Sequence, residues 1–294
     1  MSGSLASTRG CLARVLDVLP DLLLSEHLEP FLRLAHRAPR ILLCTDYDGT
    51  LVPFFPTPEQ TATPSTVLGV LSRLSRYLTV EAAVISGRPL KDLDRLLPVS
   101  NLIKAGLHGM EISFSDGEEY IWPKAEALLP VMAQIKSHLA ELAATYDGVL
   151  VEDKKYAVAL HYRRYPGPDE EIHNRFSLQA HRFGWDSMPD VELLWGDRVI
   201  EVRPKGPNKG EALKAIRERS RLADIPPPLT IYIGDDTTDE DAFAVLKDEE
   251  YSYPIIVTEN TTPNTAAQFR LAAPCDVLRF LQHLETASRK RSVS

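Results

Sequence analysis

The run Ile41-Leu-Leu-Cys-Thr-Asp46-Tyr-Asp48-Gly49-Thr50 constrains this chain more than any other segment. Its uncharged start reads as a buried strand, and a strand without a polar face suits a parallel sheet covered on both sides. Open sheets of that kind carry their sites at the C-terminal ends of the strands, which is where this one delivers two carboxylates followed at once by Gly. Asp46 is ionised at neutral pH and can attack phosphorus without a dedicated base. Its repulsion from a phosphate dianion is relieved by a Mg²⁺ shared between the carboxylate and a phosphate oxygen. Asp48 is the expected second player, protonating a leaving alkoxide and then acting as base for the attacking water. The plain alternative is a turn after a strand, since Asp and Gly are common turn formers.

The rest of the chain tests that reading. Strand 41–45, a helix over 65–78 with Val67, Leu71, Leu74 and Leu78 on one face, strand 82–86 and the short apolar run 102–107 alternate, which predicts a parallel sheet covered by helices. From Glu111 the texture changes to polar and apolar alternation around Asp116-Gly117, a hairpin signal. A long helix over 124–146, strands over 149–152, 156–163, 191–195 and 198–202, and a helix over 169–183 follow. The first texture returns after Pro204, with a helix from Lys209, strand 229–234 after Pro226-Pro227-Pro228, a helix from Asp239 and strand 255–257. The expected division is therefore an N-terminal helical extension over 1–38, core 39–111, an α+β cap over 112–203, core 204–287 and a disordered tail over 288–294. Within the extension, residues 11–37 read as amphipathic helix.

At 294 residues with 44% hydrophobic and 25% charged residues, the chain has the composition of an ordinary globular protein. A net charge of −8 argues against a nucleic-acid or anionic-membrane surface, so an anion-handling site must concentrate its cations locally. Cys11, Cys44 and Cys275 have no paired spacing, which excludes a disulfide framework or cysteine zinc site and fits a reducing cytoplasm. The early apolar cluster is broken by Asp17, Pro20 and Asp21, so it is neither a signal core nor a membrane span.

Three later features sit where the first predicts they should. Ser86-Gly87-Arg88 follows an apolar strand, so the Ser86 hydroxyl and nearby amides can hold a phosphoryl oxygen, with a helix cap as the alternative. Lys209 opens a helix, where a cation opposes the dipole, which suggests an anion to neutralise; a solvated lysine is the other possibility. Gly234-Asp235-Asp236-Thr-Thr-Asp239-Glu240-Asp241 packs five acids into seven positions after a strand, costly without a cation. Asp235 is assigned to the metal, Asp239 to capping or orienting its neighbours, and Asp236 to a supporting role.

Taken in order, Asp46/Asp48, Ser86, Lys209 and Asp235/Asp239 resemble the four motifs of the haloacid dehalogenase superfamily. An acid at position 48 there accompanies phosphatases and phosphomutases, which implies phosphate-ester chemistry. With Glu152-Asp-Lys154, His161-Tyr-Arg163 and Glu201-Val-Arg203-Pro204, the chain is similar over about residues 40–285 to the trehalose-6-phosphate phosphatase family. The resemblance implies an α/β, doubly wound, Rossmann-like haloacid dehalogenase core with an inserted α+β cap, acting on a small sugar phosphate. It implies Mg²⁺ on Asp46, the Asp48 main-chain carbonyl and Asp235, with Ser86, Arg88 and Lys209 toward the phosphoryl group. It also implies that Glu152, Lys154, Arg163 and Glu201 hold sugar hydroxyls, for which charge-assisted hydrogen bonds are well suited. As ordinary strand residues, those four would instead face solvent. His108 is placed near the junction of core and cap. A cytoplasmic monomer is expected. The alternatives are a sucrose 6-phosphate or mannosyl-3-phosphoglycerate phosphatase, a phosphomutase of the same superfamily, or a non-catalytic sugar-phosphate-binding regulator.

Overall fold

The computed structural model describes residues 18–55, 60–196, 198–219 and 227–291. Residues 1–17 of the expected extension, with Cys11, the turn residue Asp197, Pro226, and residues 292–294 of the expected tail lie outside that set.

The larger sheet is built around β1 (Ile41–Thr45), buried at every position. To one side lie β2 (Val80–Ile85) and β3 (Leu102–Gly106), followed by β4 (Glu111–Ser113) and β5 (Glu119–Ile121). To the other lie β10 (Leu229–Gly234), β11 (Ser252–Val257) and β12 (Phe269–Leu271), giving the order β12-β11-β10-β1-β2-β3-β4-β5. Pairing is parallel from β12 to β3 and antiparallel beyond. The even and odd residues of β1 point to two separate cores, as a doubly wound sheet requires. Ile41 and Leu43 pack with α1 (Ser25–Arg37), α2 (Ser65–Leu74), α3 (Leu90–Leu96) and α8 (Pro274–Arg291). Leu42 and Cys44 pack with α6 (Lys209–Arg219) and α7 (Glu240–Leu246).

Three sequence expectations are corrected. The hairpin of β4 and β5 does not open the insert at residue 112: β4 pairs along the free edge of β3, Ala105 opposite Ile112, so the hairpin extends the core sheet. The tail is helical up to Arg291, because α8 packs along the core and buries Ser288, whose hydroxyl donates to the Leu284 carbonyl at 2.9 Å. The N-terminal helix begins only at Ser25. Residues 20–22 instead run beside β12, where Leu22 N donates to Arg270 O and Asp21 Oδ1 takes the Leu23 amide. Pro20 has no amide proton to give a helix, and a side chain capturing a nearby backbone N–H competes with one.

The insert has its own sheet, ordered β6 (Leu150–Asp153), β7 (Val158–His161), β9 (Val199–Pro204), β8 (Val191–Gly196), all antiparallel. Val158, Leu160, Ile200 and Val202 face α4 (Ala125–Ala143) and α5 (Asp169–Phe183), burying Met132, Ile135, Leu139, Ile172 and Phe176 with them. Alternation then places Glu152, Ala159, His161 and Glu201 together on the opposite face.

Candidate active site

The site lies at the carboxyl ends of β1, β2 and β10, where the chain leaves the sheet in opposite directions. The Asp46 amide donates to the Ile233 carbonyl at 2.7 Å, which fixes the first acid to the end of both central strands. The chain then folds back on itself: Gly49 N donates to Val52 O, and the Leu51 and Val52 amides to Tyr47 O. Gly49 has φ +80°, and a Cβ on it would overlap the Asp235 carboxylate. Glycine is therefore needed twice there, for the left-handed backbone and for the approach of the second strand's acid. Thr50 Oγ1 completes the junction by donating to Asp235 Oδ1 at 2.8 Å.

After β10, a 3₁₀ turn over Thr237–Asp239 swings Asp239 back beneath the strand end. Its fully buried carboxylate accepts from the Asp235 and Asp236 amides, from Tyr232 Oη at 2.8 Å and from Lys209 Nζ at 2.8 Å. The Asp236 side chain stays outside this hub and caps its own turn by accepting from the Thr237 amide. Asn208 caps α6 by accepting from the Glu211 amide, which sets Lys209 as the first helical residue. The Lys209 ammonium lies 3.0 Å from Asp46 Oδ1 and is buried. Burial works against its charge, but Asp239 and Asp46 more than offset that and hold its pKa above the ordinary lysine value. This lysine is an internal counter-ion and not a solvated helix-start residue.

One ammonium does not balance the acids around it. Asp46, Asp235 and Asp239 each present an oxygen within 4.8 Å of the others. Burial pushes the Asp46 carboxyl well up, with Asp239 and Asp235 adding to the effect and Lys209 opposing it. Burial likewise pushes Asp235 up to about 7, against the Thr50 hydrogen bond. Three hard oxygen donors with excess negative charge fit a hard divalent cation. The Asp48 carboxylate does not join them.

Asp48 is held instead by Arg88, whose Nε and Nη2 donate to its two oxygens at 2.6 and 2.8 Å. Arg88 Nη2 also reaches Thr61 Oγ1 at 2.7 Å. Arg88, read from the sequence as a phosphate ligand, thus grips the neighbouring acid. Ser86 follows β2 directly and is buried, and its hydroxyl accepts from the Arg88 amide at 3.2 Å. This loop is shaped from below by Leu107 and His108, whose amides donate to the carbonyls of Arg88 and Ser86. Leu107, His108 and Gly109 have φ of 49°, 59° and 100°, a costly left-handed run for two residues with side chains. The run turns His108 under Gly87, buried, with Nδ1 lacking a hydrogen-bond partner among the described residues. Burial, then Arg203, Lys209 and Lys154, push its pKa well below the ordinary imidazole value, so it is neutral at pH 7.

A cleft of about 530 Å³ opens above these groups. Asp46, Asp48, Ser86, Arg88, His108 and Lys209 line it from the core, and Glu152, Lys154, His161 and Arg163 from the insert. Lys154 is the deepest of the insert's groups, donating to Glu201 Oε2 at 2.5 Å and to the Gly87 carbonyl of the core at 3.3 Å. Glu201, expected on the substrate, is not part of the cleft wall. It stands behind Lys154, buried, and holds that ammonium in place. Arg163 is exposed at the rim. Sequence reasoning missed Thr50, Tyr232, Thr61 and His161. Thr50 and His161 lie inside segments singled out for other residues, whereas Tyr232 looks like any aromatic in a buried strand.

The profile of the trehalose-phosphatase family matches residues 44–274. The probable trehalose-phosphate phosphatase 2 of Oryza sativa subsp. japonica is 31% identical over 270 residues, covering 84% of this chain and 69% of that protein. A protein described as an uncharacterized glycosyl hydrolase in Mycobacterium tuberculosis (strain CDC 1551 / Oshkosh) is 35% identical over 254 residues, covering 85% of this chain and 18% of its own length. Among solved structures, the C-terminal domain of C. albicans trehalose-6-phosphate phosphatase superposes with a TM-score of 0.77 at 26% identity, covering 91% of this chain and 98% of that one. A family profile spanning most of the sequence, over a fold that brings its acids, lysine and serine to one cleft floor, establishes that the chain belongs to the trehalose-phosphatase family.

Proposed function

We propose that this phosphatase hydrolyses trehalose 6-phosphate to trehalose and phosphate, with Asp46 as nucleophile. The observation that carries the reading is the pairing of a buried Asp46–Lys209–Asp239 charge cluster with a cleft whose opposite wall is lined by charged and polar groups of the insert. Lys209 opposes the burial that favours the neutral form of Asp46, orients its carboxylate, and presents a cation to the phosphoryl oxygens. Mg²⁺ bound by Asp46, Asp235 and the Asp48 main-chain carbonyl would supply the remaining positive charge at the phosphate. Attack by Asp46 forms an aspartyl-phosphate and releases the sugar oxygen, which takes its proton from Asp48. Asp48 then removes a proton from water, and that water cleaves the acyl phosphate and regenerates Asp46. The Arg88 fork on Asp48 must loosen for proton donation, and the incoming phosphate offers Arg88 a replacement anion. On the insert side, Glu152, Lys154 and Arg163 meet the sugar hydroxyls, with Glu201 acting through Lys154.

The test is phosphate release from trehalose 6-phosphate, glucose 6-phosphate, sucrose 6-phosphate and mannosyl-3-phosphoglycerate, with chelator and Asp46→Asn as controls. Preference for trehalose 6-phosphate, abolished by both controls, is expected. Preference for another ester would overturn the sugar and keep the chemistry, while no release from any would favour a binding-only regulator. Asp46→Asn turning over near the wild-type rate would remove Asp46 as nucleophile.

A further inference from the structure

The proposed reaction gives His161, a polar group lining the cleft, no task. His161 closes β7, and the register sets Leu150 opposite His161 and Glu152 opposite Ala159, so Glu152 and His161 are diagonal neighbours on the cleft-facing side of the sheet. Ala159, directly opposite Glu152 on β7, carries only a methyl group and does not crowd the diagonal. His161 Nε2 lies 2.8 Å from Glu152 Oε2, and both side chains line the cleft about three-quarters buried. An ionised carboxylate has only acceptors, so the ring nitrogen facing it carries the proton and donates. The hydrogen bond occupies one oxygen of Glu152, and among the described residues Oε1 takes none. Burial acts to raise the Glu152 pKa, and the His161 bond with the cations Lys154 and Arg88 reverses that, holding it below the usual carboxylate value.

We propose that His161 is a positioning residue for substrate recognition, aligning the Glu152 carboxylate so that Oε1 accepts from a hydroxyl of the sugar leaving group. The inference rests on the phosphatase reading above and adds to it which residue makes Glu152 selective. A carboxylate on a rotatable stem must lose its rotamer freedom when it binds a hydroxyl, and a partner that fixes it beforehand lowers that cost. The phosphate end of the substrate is held by other groups, so the alignment affects recognition of the leaving group and not attack at phosphorus.

The discriminating experiment measures kcat and KM for trehalose 6-phosphate and for p-nitrophenyl phosphate, whose leaving group has no hydroxyl to offer Glu152. The variants are His161→Phe, His161→Gln, Glu152→Gln and the double variant His161→Phe/Glu152→Gln. With His161→Phe, the ratio of kcat/KM for the sugar phosphate over the aryl phosphate falls about tenfold, the size of a lost charged hydrogen bond, with the loss in KM. His161→Gln, which can return an N–H near the Nε2 position, recovers most of that ratio. The double variant is no more impaired than Glu152→Gln alone, the signature of two residues acting as one. Equal losses on both substrates, additive losses in the double variant, or an unchanged ratio in His161→Phe would each overturn the proposal. A wild-type enzyme active on the aryl phosphate alone would overturn the trehalose reading, and this inference would fall with it.

Discussion

At the scale of single residues, the cleft floor depends on two positions where a small chemical change has a large predicted effect. A methyl group at Gly49 would meet the Asp235 carboxylate, and the φ of +80° there costs an L-residue about 1–2 kcal/mol. Gly49→Ala is expected to lose about that much stability in urea titration and to drop kcat by at least about tenfold, because Asp235 must shift. A variant with normal kcat would show that the approach of the two loops is not needed. Lys209 poses a sharper case, since its removal strands Asp46 and Asp239 in the protein interior. Lys209→Met should cost about 3–5 kcal/mol, the range for breaking a buried pair, together with nearly all turnover. Adding Asp239→Asn should restore part of the stability and none of the activity, and full additivity of the two losses would contradict the shared cluster. Asp46, Asp48, Ser86, Lys209 and Asp235 were legible in the sequence because each lies just past the end of a strand or at the start of a helix, where position itself carries meaning. Thr50, bonded to an acid 185 residues away, and Tyr232, whose hydroxyl donates a hydrogen bond to Asp239, were not, because a hydroxyl in a turn or strand carries no signal of its distant partner.

At the scale of elements, the insert's sheet works because adjacent residues of β7 serve different masters. Leu160 is buried against α4 and α5, while Ala159 lies between Glu152 and Glu201 on the cleft side. Leu160→Ala is therefore expected to cost about 2–5 kcal/mol of stability with little change in KM. Ala159→Leu should instead raise KM for the sugar phosphate severalfold while costing about 1–3 kcal/mol through overpacking. Urea melts and steady-state kinetics on the two variants check the assignment, and the opposite pattern would mean that the faces are reversed. Alternation made the four strands of this sheet readable in advance. The hairpin of β4 and β5 was harder, because alternation shows that two strands pair with each other and says nothing of which sheet edge receives them. Likewise the basic, Ser-rich composition after Ala287 gave no hint that α8 would continue through Ser288, since that helix is held by its packing on the core.

At the scale of the whole molecule, a chain with net charge −8 gathers Arg88, Lys154, Arg163, Arg164, Arg198 and Lys209 around one cleft, six cations against the four acids Asp46, Asp48, Glu152 and Asp236. Such focusing draws an anionic ester toward the site against the protein's overall charge. The cations come from both the core and the insert, so the field on the phosphate is strongest when the two walls are close. Lys154 embodies that dependence, because it is carried by the insert, anchored by Glu201, and bonded to the Gly87 carbonyl beside Ser86. Without that ammonium the two walls lose a direct polar link next to the phosphoryl loop. A closing insert would also shut bulk water out of the cleft during attack at phosphorus, and reopening would release the sugar and admit the water that cleaves the aspartyl-phosphate. Small-angle scattering of the full chain is expected to show a smaller radius of gyration with Mg²⁺ and vanadate bound than without. Lys154→Ala should weaken that contraction and raise KM for the sugar phosphate. Superimposable wild-type profiles with and without vanadate would show instead that core and insert form a fixed cleft, entered through its mouth, in which Lys154 is a static part of the wall.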